Sequence, residues 1–424
     1  KARLIMSVKY VIEGGHKLRG EITVNGSKNA ALPMLAATLL TSEKCTLHRV
    51  PMIRDIHVML DILRHLGATV EIDGNTVSVE TPHLVTTQIP DDLASKLRAS
   101  VLLLGPIIAR AGKITLRHPG GCVLGKRPVG VHFDALQALG ATFQQDEIKY
   151  YGQAAQLIGS RMYLGEASVT ATENAMMAAA LAHGTTIIEP AACEPHIVSL
   201  GKMLNDMGAH VEGLGTHTIT IRGAKSLNGT TAHVNADEIE TGTLAVAFAI
   251  TRGSGTIVGV EQENLSSIIY KLNQFGVITE FEGNKLHIRS RETYKPTNIQ
   301  INIWPLFPTD LQPQMTILAT QAEGNSLIHD WMYDRRLLYI DELVKMGGTI
   351  MLCDPHRALV TGPTKFSGKT IISPDIRAGM AFVLAGLIAS GKTTIEQAHL
   401  IERGYENIHE RLNSLGAKIE RIEN

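Results

Sequence analysis

The sequence is poor in aromatic residues and carries almost no net charge. Aromatic residues make up 4% of the 424 residues, which argues against the aromatic platforms on which single-stranded nucleic acids stack their bases. The formal net charge is −1, so no general positive field draws the chain to nucleic acid or to an anionic membrane. These absences exclude bulk recognition of polyanions, and any cationic binding site must be local.

Cysteine is also scarce, and long apolar runs are absent. No two cysteines form a CxxC motif; the four are Cys45, Cys122, Cys193 and Cys353. Their wide spacing indicates neither a disulfide framework nor a zinc site, and it fits a reducing cytoplasm. No apolar run approaches the roughly 18 residues that span a bilayer, and residues 1–6 lack the apolar core of a signal peptide. We therefore predict a cytoplasmic protein without a metal site or membrane insertion.

A short sequence motif centred on glycine recurs six times along the chain. The glycines lie 68 to 73 residues apart; they are Gly67, Gly140, Gly208, Gly276, Gly347 and Gly416. Such regular spacing indicates internal repeats of about 70 residues. Each glycine follows a segment with helical apolar spacing, such as 56–66, and precedes alternating residues, such as 69–73 and 76–79. We predict that each glycine ends a helix and that a hairpin follows it.

Each repeat also contains a segment that is apolar on all sides, such as 30–40 or 378–388, which predicts a buried helix. Ser, Thr or Asp stands at the openings of these segments, at Ser27, Asp91, Ser168, Asp237, Thr309 and Asp375. Six repeats exceed the size of one core. We therefore predict an α/β chain with two domains of three repeats. One domain spans residues 28–235, and the other joins 1–27, including a hairpin within 10–23, to 236–424.

Polar residues that interrupt the apolar pattern fall into two series. One series lies at the openings of the buried helices: Lys28, Asn29, Arg98, Ser168, Asp310, Asp375 and Arg377. The other lies in the loops after the central strands: Arg54, Cys122, Arg127, Arg336 and Arg403. Helix N-termini offer free N–H groups and a positive dipole end, so cations beside them indicate a ligand with several anionic groups. Any one arginine is more simply explained as a loop residue, but the joint pattern favours a site.

Cys122 stands in a stretch rich in glycine and proline, residues 117–128, with Lys126 and Arg127 close behind it. Nearby positive charge favours the thiolate and attracts anionic substrates. Taken alone, a lone cysteine in such a loop is more simply incidental.

Three other patterns are more simply explained by a structural role than by catalysis or ligand binding. Residues 386–393 match the P-loop motif, but the apolar helix precedes them and a strand follows, the reverse of the order that phosphate binding needs. Residues 237–240 could be an acid–base pair, although a capped helix opening with Glu adding to the dipole is the simpler interpretation. His132 is interpreted as a residue of a polar helix face.

Several motifs together are similar to the enolpyruvyl transferases that act on UDP-N-acetylglucosamine, also called 1-carboxyvinyltransferases. They are Gly-Ser-Lys-Asn-Ala-Ala-Leu-Pro at 26–33, Pro-Gly-Gly-Cys-Val-Leu-Gly-Lys-Arg-Pro at 119–128, Phe-Pro-Thr-Asp at 307–310 and Glu-Arg-Gly-Tyr at 402–405. The resemblance covers essentially the whole chain. It implies two inside-out α/β barrels with the active site in the cleft between them. It also implies transfer of enolpyruvyl from phosphoenolpyruvate to the sugar 3′-hydroxyl, with no cofactor and with sensitivity to fosfomycin.

The resemblance implies roles residue by residue. Cys122 corresponds to the proton donor and Asp310 to the base; Lys28, Arg127 and Arg403 correspond to the phosphate ligands, and Arg336 and Arg377 to the carboxylate ligands. Asn29 corresponds to a contact to the sugar and also to a residue of the phosphoenolpyruvate site. The expected wall of the nucleotide-sugar site comprises Asn29, Arg98, Arg127, Pro128, Val129, Gly130, Val131, Ser168, Val169, Thr170, Asp310 and Met332.

The sequence departs from the family pattern at Arg54, Gly130, Glu166 and Thr170 and in the segment 304–307, and these departures bear on the affinity for the nucleotide. Two alternatives stay open at this point. One is a shikimate-type transferase, which shares the repeats but not the cysteine loop. The other is a catalytically silent copy that binds the nucleotide-sugar.

Overall fold

The computed structural model describes residues 8–118, 125 and 128–423, and these form two compact units. The middle unit contains residues 26–118 and 128–235. The terminal unit contains residues 8–25, 125 and 236–423. The chain leaves the terminal unit after Asn25 and returns to it after Asn235, and Gly125 is also assigned to the terminal unit.

Thirteen α-helices lie in the described residues. Their bounds are α1 Lys28–Ala37, α2 Arg54–His65, α3 Asp91–Lys96, α4 Leu104–Ala111, α5 Gly130–Ala138, α6 Val169–Ala179, α7 Pro195–Asp206, α8 Glu238–Ile250, α9 Ser266–Phe275, α10 Gln312–Ala319, α11 Ile340–Lys345, α12 Ile376–Ile388 and α13 Ile408–Ser414. Short 3₁₀ turns cover Thr38–Leu40, Arg98–Leu103, Gln262–Asn264, Thr309–Leu311 and Ala398–Arg403.

Twenty-three strands accompany these helices in the same described ranges. Their bounds are β1 Val8–Glu13, β2 Arg19–Thr23, β3 Cys45–His48, β4 Thr69–Asp73, β5 Thr76–Glu80, β6 Lys113–Arg117, β7 Thr142–Gln145, β8 Lys149–Gln153, β9 Arg161–Tyr163, β10 Thr185–Glu189, β11 His210–Glu212, β12 Ile219–Arg222, β13 Thr231–His233, β14 Ser254–Val258, β15 Ile278–Glu282, β16 Lys285–Arg289, β17 Ile299–Gln300, β18 Gly324–His329, β19 Ile350–Asp354, β20 Arg357–Gly362, β21 Thr370–Ile372, β22 Lys392–Glu396 and β23 Lys418–Glu423.

The sheets repeat one strand order, as the six-fold sequence repeat predicts. In the sheet β13-β3-β5-β4, the strand after a buried helix (β3) lies between a parallel edge strand and the second strand of a hairpin. The same order recurs in β9-β10-β12-β11, β2-β14-β16-β15 and β17-β18-β20-β19. Sheet β6-β8-β7 has this order too, with the bridge between Gln88 and Thr115 in place of the edge strand.

The predicted hairpin within residues 10–23 is wrong. β1 pairs in antiparallel fashion with β22 and β23, with Tyr10 opposite Ile395, and so completes the sheet β21-β22-β1-β23. β2 instead runs parallel to β14 in another sheet, with Ile22 opposite Ile257. β1 buries alternate residues in its sheet, whereas β2 buries only Ile22. Strand partners depend on the tertiary packing of distant segments, which local alternation does not specify.

The six repeat glycines all adopt left-handed backbone angles, with φ between 94° and 108°. Each lies one or two residues after the last residue of a helix, and an L side chain at these angles would be strained. The prediction that glycine ends the outer helix of each repeat is therefore confirmed.

The buried helices are also present where the apolar segments predict them, with one exception. Every residue of α8 and of α10 is buried, and eleven of the thirteen residues of α12 are buried. The segment that opens at Asp91 does not form one helix, because the backbone at Leu97 adopts an extended conformation, with φ −125° and ψ 105°. The buried helix of that repeat is α4, preceded by a 3₁₀ turn.

Two further sequence expectations concern this layout. In the P-loop-like stretch, α12 ends at Ile388 and β22 begins at Lys392, so the order is helix, loop and strand, as predicted. None of the helices within the described ranges is long and apolar enough to cross a membrane.

Candidate active site

In the terminal unit, the carboxylate of Asp310 accepts hydrogen bonds from two buried arginines. Arg377 donates to it from Nη2 over 2.8 Å and from Nε over 3.1 Å, and Arg336 donates from Nη2 over 3.1 Å. Both guanidinium groups are buried, whereas 29% of the Asp310 side chain is exposed. The planar fork of a guanidinium suits a carboxylate. The two arginines therefore form a carboxylate-binding pair, and they hold a carboxylate of the protein itself in this structure.

The ends of two buried helices place Asp310 and Arg377 together. Asp310 lies in the 3₁₀ turn Thr309–Leu311 that leads into α10, and Arg377 lies in the first turn of α12. Asp375 caps α12 by accepting from the backbone N–H of Arg377 over 2.8 Å and of Ala378 over 3.0 Å. Burial lowers the pKa of Arg377, but the neighbouring carboxylates outweigh burial and raise it overall, so the guanidinium stays charged.

Arg336 is held by a turn that follows β18. Its Nε donates to the Thr309 hydroxyl over 3.2 Å, and its guanidinium carbon lies 4.9 Å from the centre of the Tyr333 ring. Asp330, which is fully buried, accepts from the Thr309 hydroxyl over 2.6 Å and from the backbone N–H of Met332 over 3.1 Å. Burial raises the pKa of Asp330, and Thr309 and Arg336 oppose that rise. This turn thus fixes Arg336 and also positions Met332, one of the predicted site residues.

A buried tyrosine joins the helices beneath this cluster. The amide of Gln314 on α10 donates to the Tyr405 hydroxyl over 3.0 Å. That hydroxyl lies 3.0 Å from the Thr243 hydroxyl, which in turn donates to the carbonyl of Ile239 over 2.7 Å on α8. The ring centre of Tyr405 lies 5.6 Å from the guanidinium carbon of Arg377. This role of Tyr405 could not be predicted from its place at the end of the motif at 402–405, because its partners Gln314 and Thr243 lie on α10 and α8.

Tyr405→Phe is expected to lower the free energy of unfolding by about 1–3 kcal/mol, because it leaves the buried Gln314 amide and Thr243 hydroxyl without their shared partner. Urea unfolding measures the change. Tyr151→Phe is the matched control, since the Tyr151 hydroxyl donates to Asp146 over 2.8 Å at the exposed surface. Equal losses in both variants would contradict a structural role for the buried hydroxyl.

Arg403 ends the 3₁₀ turn Ala398–Arg403 and is half-buried. Its neighbour Glu402 accepts from Nε of Arg421 over 2.6 Å and from the Tyr10 hydroxyl over 3.0 Å. Arg421 lies on β23 and Tyr10 on β1, so the first and last strands of the chain anchor the turn that carries Arg403.

In the middle unit, Lys28 is the predicted cation that the structure describes most fully. It begins α1, and its Nζ lies 3.4 Å from the carboxylate of Asp55, in the first turn of α2. Asn29 is half-buried beside it, and Arg98 is half-buried at the start of a 3₁₀ turn. Arg54, predicted to be a loop residue, is instead the exposed first residue of α2.

The interpretation of His132 as a residue of a polar helix face is wrong, because its side chain is buried. Asn174 orients the ring: the backbone N–H of Gly105 donates to its Oδ1 over 2.7 Å, so Nδ2 faces His132 Nδ1 at 2.9 Å and donates to it. His132 Nε2 then donates to the Thr170 hydroxyl over 3.1 Å. Thr170 departs from the family pattern, and this histidine holds it.

Thr170 belongs to the first turn of α6, which Ser168 precedes and Val169 begins. All three residues are half-buried. Ser168 accepts from the hydroxyl of Thr172 over 2.8 Å through its backbone carbonyl. The start of α6 is therefore an ordered helix N-terminus of the kind that binds anions.

Part of the predicted cysteine loop lies outside the described residues, including Cys122 and Arg127. The described residues that follow it lead into α5: Pro128 is exposed, Val129 is buried, Gly130 is the exposed first residue of the helix and Val131 is half-buried.

Residues 237–240 form the capped opening that the sequence predicts, with one difference. Asp237 accepts from the backbone N–H of Ile239 over 2.9 Å and of Glu240 over 2.8 Å. Glu240 is bonded to Arg411. Glu238 does not add charge to the helix dipole as predicted, since burial raises its pKa to about 8. Among the described residues, no group of three or more His, Cys, Asp or Glu side chains is placed to hold a metal ion.

Known proteins with a similar sequence or structure define the fold class of this chain. A family model described as EPSP synthase (3-phosphoshikimate 1-carboxyvinyltransferase) matches residues 12–412. The enolpyruvyl transferase NikO from Streptomyces tendae has a solved structure that superposes with a TM-score of 0.89 at 24% identity, covering 99% of this chain and 100% of that one. EPSP synthase from Acinetobacter baumannii superposes with a TM-score of 0.75 at 21% identity, covering 98% of this chain and 100% of that one. The fold is the mixed α/β fold of enolpyruvyl transferases.

Curated relatives with higher identity define the particular family. UDP-N-acetylglucosamine 1-carboxyvinyltransferases from Borreliella burgdorferi and Treponema denticola are 41% and 43% identical, and each match covers 97% of this chain and 99% of the relative. The enzyme of that name from Bradyrhizobium diazoefficiens is 41% identical, with 98% of both chains covered. The chain belongs to the UDP-N-acetylglucosamine 1-carboxyvinyltransferase family.

Proposed function

We propose that this protein transfers the enolpyruvyl group of phosphoenolpyruvate to the 3′-hydroxyl of UDP-N-acetylglucosamine and releases phosphate. The reaction is the first committed step of peptidoglycan synthesis. The observation that carries the proposal is the identity of 41–43% over 97% of the chain with relatives of that name. The carboxylate-binding pair Arg336 and Arg377 beside Asp310 supplies the matching chemistry.

In the proposed reaction, Asp310 takes the proton of the 3′-hydroxyl, and the oxygen bonds to C2 of phosphoenolpyruvate. Cys122 gives a proton to C3, so the addition is balanced and a methyl group forms. Phosphate then leaves C2, and the methyl group loses a proton to restore the double bond in the product. A general base and a general acid each contribute typically about 10²–10⁴-fold to such a step.

The two anionic groups of phosphoenolpyruvate have separate proposed ligands. Arg336 and Arg377 bind its carboxylate, which the hydrogen bonds of both arginines to the Asp310 carboxylate support. Lys28, Arg127 and Arg403 bind its phosphate, and Lys28 offsets the charge that develops in the transition state. Asn29 lies at the same site.

The nucleotide-sugar has its own proposed set of ligands. The N-terminus of α6 at Ser168–Thr170 supports a diphosphate contact, because free N–H groups at helix starts bind anions. The remaining wall of this site comprises Asn29, Arg98, Arg127, Pro128, Val129, Gly130, Val131, Asp310 and Met332.

The proposed architecture has two inside-out α/β barrels of three repeats each, residues 28–235 in one and 1–27 with 236–424 in the other, and an active site in the cleft between them. The repeated sheet order and the buried helices α8, α10 and α12 support the barrels. Because no disulfide framework is indicated, we place the protein in the cytoplasm.

Two alternatives are less well supported. A shikimate-type transferase fits the description of the matching family model, but the relatives at 41–43% identity are named for UDP-N-acetylglucosamine. A silent copy that only binds the nucleotide-sugar fits poorly with a chain that keeps the whole set of charged and reactive residues, Lys28, Cys122, Asp310, Arg336, Arg377 and Arg403.

Incubation with phosphoenolpyruvate and UDP-N-acetylglucosamine is expected to give enolpyruvyl-UDP-N-acetylglucosamine and an equal amount of phosphate. Mass spectrometry of the nucleotide-sugar and a phosphate assay measure the two products. The matched control is UDP-3-deoxy-N-acetylglucosamine, which lacks the accepting hydroxyl and is expected to give neither product. Binding of the nucleotide-sugar without any product would favour the silent copy.

A further inference from the structure

Glu238 is a carboxyl group for which the proposed reaction has no role, although the charges of Arg377 and Asp310 both act on it. It occupies the first turn of α8, and only 5% of the residue is exposed. Within the described residues, its Oε2 atom has no hydrogen-bond partner. A buried carboxylate oxygen without a partner is costly, so the position is expected to serve a purpose.

The start of α8 packs directly against the turn that carries Asp310. A Cβ atom added at Gly242, one turn after Glu238, would come within 2.4 Å of Cδ2 of Leu311. Gly242 therefore allows the close approach of α8 to the residue next to Asp310. The first turn of α8, which contains Glu238, therefore lies near the starts of α10 and α12, where Asp310 and Arg377 are found.

The charges around Glu238 come from three elements. Asp237, which caps α8, and Asp310 on the 3₁₀ turn disfavour its ionised form, and Arg377 on α12 favours it. α10 presents only uncharged side chains. The basic side chains of β16 contact glutamates of other strands at the surface, Lys285 with Glu21, His287 with Glu282 and Arg289 with Glu280. Burial is the largest influence, and the net result is a pKa of about 8 for Glu238.

We infer that Glu238 is a further binding determinant of this site: as a neutral acid it admits the anionic substrate beside Arg336 and Arg377, and once ionised it excludes that substrate. The inference rests on the proposed function, which supplies phosphoenolpyruvate as the anion. A neutral carboxyl adds a hydrogen-bond donor and no repulsion. An ionised one adds a third carboxylate to a cluster that already contains Asp237 and Asp310, in surroundings that screen charge poorly.

The test is the pH dependence of phosphoenolpyruvate binding, measured by calorimetry with saturating UDP-N-acetylglucosamine. Cys122→Ala serves as the parent protein, because it removes both turnover and the titration of the thiol. Its dissociation constant for phosphoenolpyruvate is expected to be flat up to about pH 8 and then to rise about tenfold per pH unit. Glu238→Gln in the same background is expected to abolish that rise.

Glu173→Gln is the matched control. Glu173 is also a fully buried carboxyl group with an unpartnered oxygen among the described residues, and burial raises its pKa, but it lies in the middle unit. This variant is expected to keep the alkaline rise. If Glu238→Gln keeps it as well, the inference is overturned and the proposed function stands. If phosphoenolpyruvate binds none of the proteins at any pH, the proposed function fails and the inference with it.

A ligand-free measurement checks that the variant folds and that the carboxyl is neutral. Because the folded-state pKa of Glu238 lies above that of an unfolded carboxyl, the folded state loses stability as pH rises from about 4.5 to about 8. Glu238→Gln removes this loss. The melting temperature of the variant is therefore expected to exceed that of the parent by an amount that grows across this window and is constant above it. A difference that does not change with pH would overturn the assignment of a neutral acid.

Discussion

Asp310→Asn is expected to lower kcat by about 10²–10⁴-fold, because an amide cannot take the proton of the sugar hydroxyl. The same change is not expected to raise KM for phosphoenolpyruvate. Arg336 and Arg377 now share their hydrogen bonds with the Asp310 carboxylate, and a neutral amide would compete less for them. Initial rates of phosphate release at saturating UDP-N-acetylglucosamine separate the two constants.

This separation of constants distinguishes a base from a residue that only holds the arginines. If Asp310 merely positioned Arg336 and Arg377, its loss would raise KM for phosphoenolpyruvate and lower kcat little. Asp341→Asn is the matched control, since it removes the same charge from an exposed position in the first turn of α11. A kcat for Asp310→Asn within about tenfold of the unmodified protein would contradict the proposed role.

Cys122→Ala is expected to lower turnover by at least about 10²-fold, because alanine has no proton to give to C3 of phosphoenolpyruvate. Binding of UDP-N-acetylglucosamine is expected to survive, since the thiol acts on the other substrate. Calorimetry measures the binding and phosphate release the turnover. Loss of nucleotide-sugar binding in a folded variant would contradict the role.

Labelling with fosfomycin, which alkylates a reactive cysteine, tests which of the four thiols is reactive. The other cysteines offer matched competitors: Cys353 is exposed, whereas Cys45 and Cys193 are buried. Burial raises the pKa of Cys45, and burial together with Glu194 raises that of Cys193 to about 11, so both remain protonated thiols. Peptide mass mapping is expected to find the label on Cys122. Label confined to Cys353 would count against a reactive thiol at the proposed site.

The repeats and the buried helices could be predicted from sequence because both depend on local rules. Glycine tolerates the left-handed angles that end a helix, and apolar residues on every face of a segment must be buried, so Gly67 and the segment 378–388 are informative by themselves. The pairing of β1 and β2 could not be predicted in this way. Their partners lie more than 200 residues away in sequence, and alternation identifies a strand without identifying its neighbours.

The candidate site also has a part that the sequence predicts and a part that it does not. Residue types and helix openings predict that cations gather, but only the resemblance to a family assigned Asp310 and Arg377 to different tasks. The buried partners could not be predicted, because their environment is made by other segments. His132 is held by Asn174 on another helix, and the pKa of Glu238 is raised because the packing of α8 buries its carboxyl group. The residues next to His132 and Glu238 in the sequence do not indicate either environment.

The choice of acceptor tests the central claim most directly. Phosphate release from phosphoenolpyruvate is measured with the unmodified protein in two parallel reactions, one with UDP-N-acetylglucosamine and one with shikimate 3-phosphate. We expect sustained release with the nucleotide-sugar and none above background with shikimate 3-phosphate. Release with shikimate 3-phosphate alone, or with neither acceptor, would contradict the proposed function.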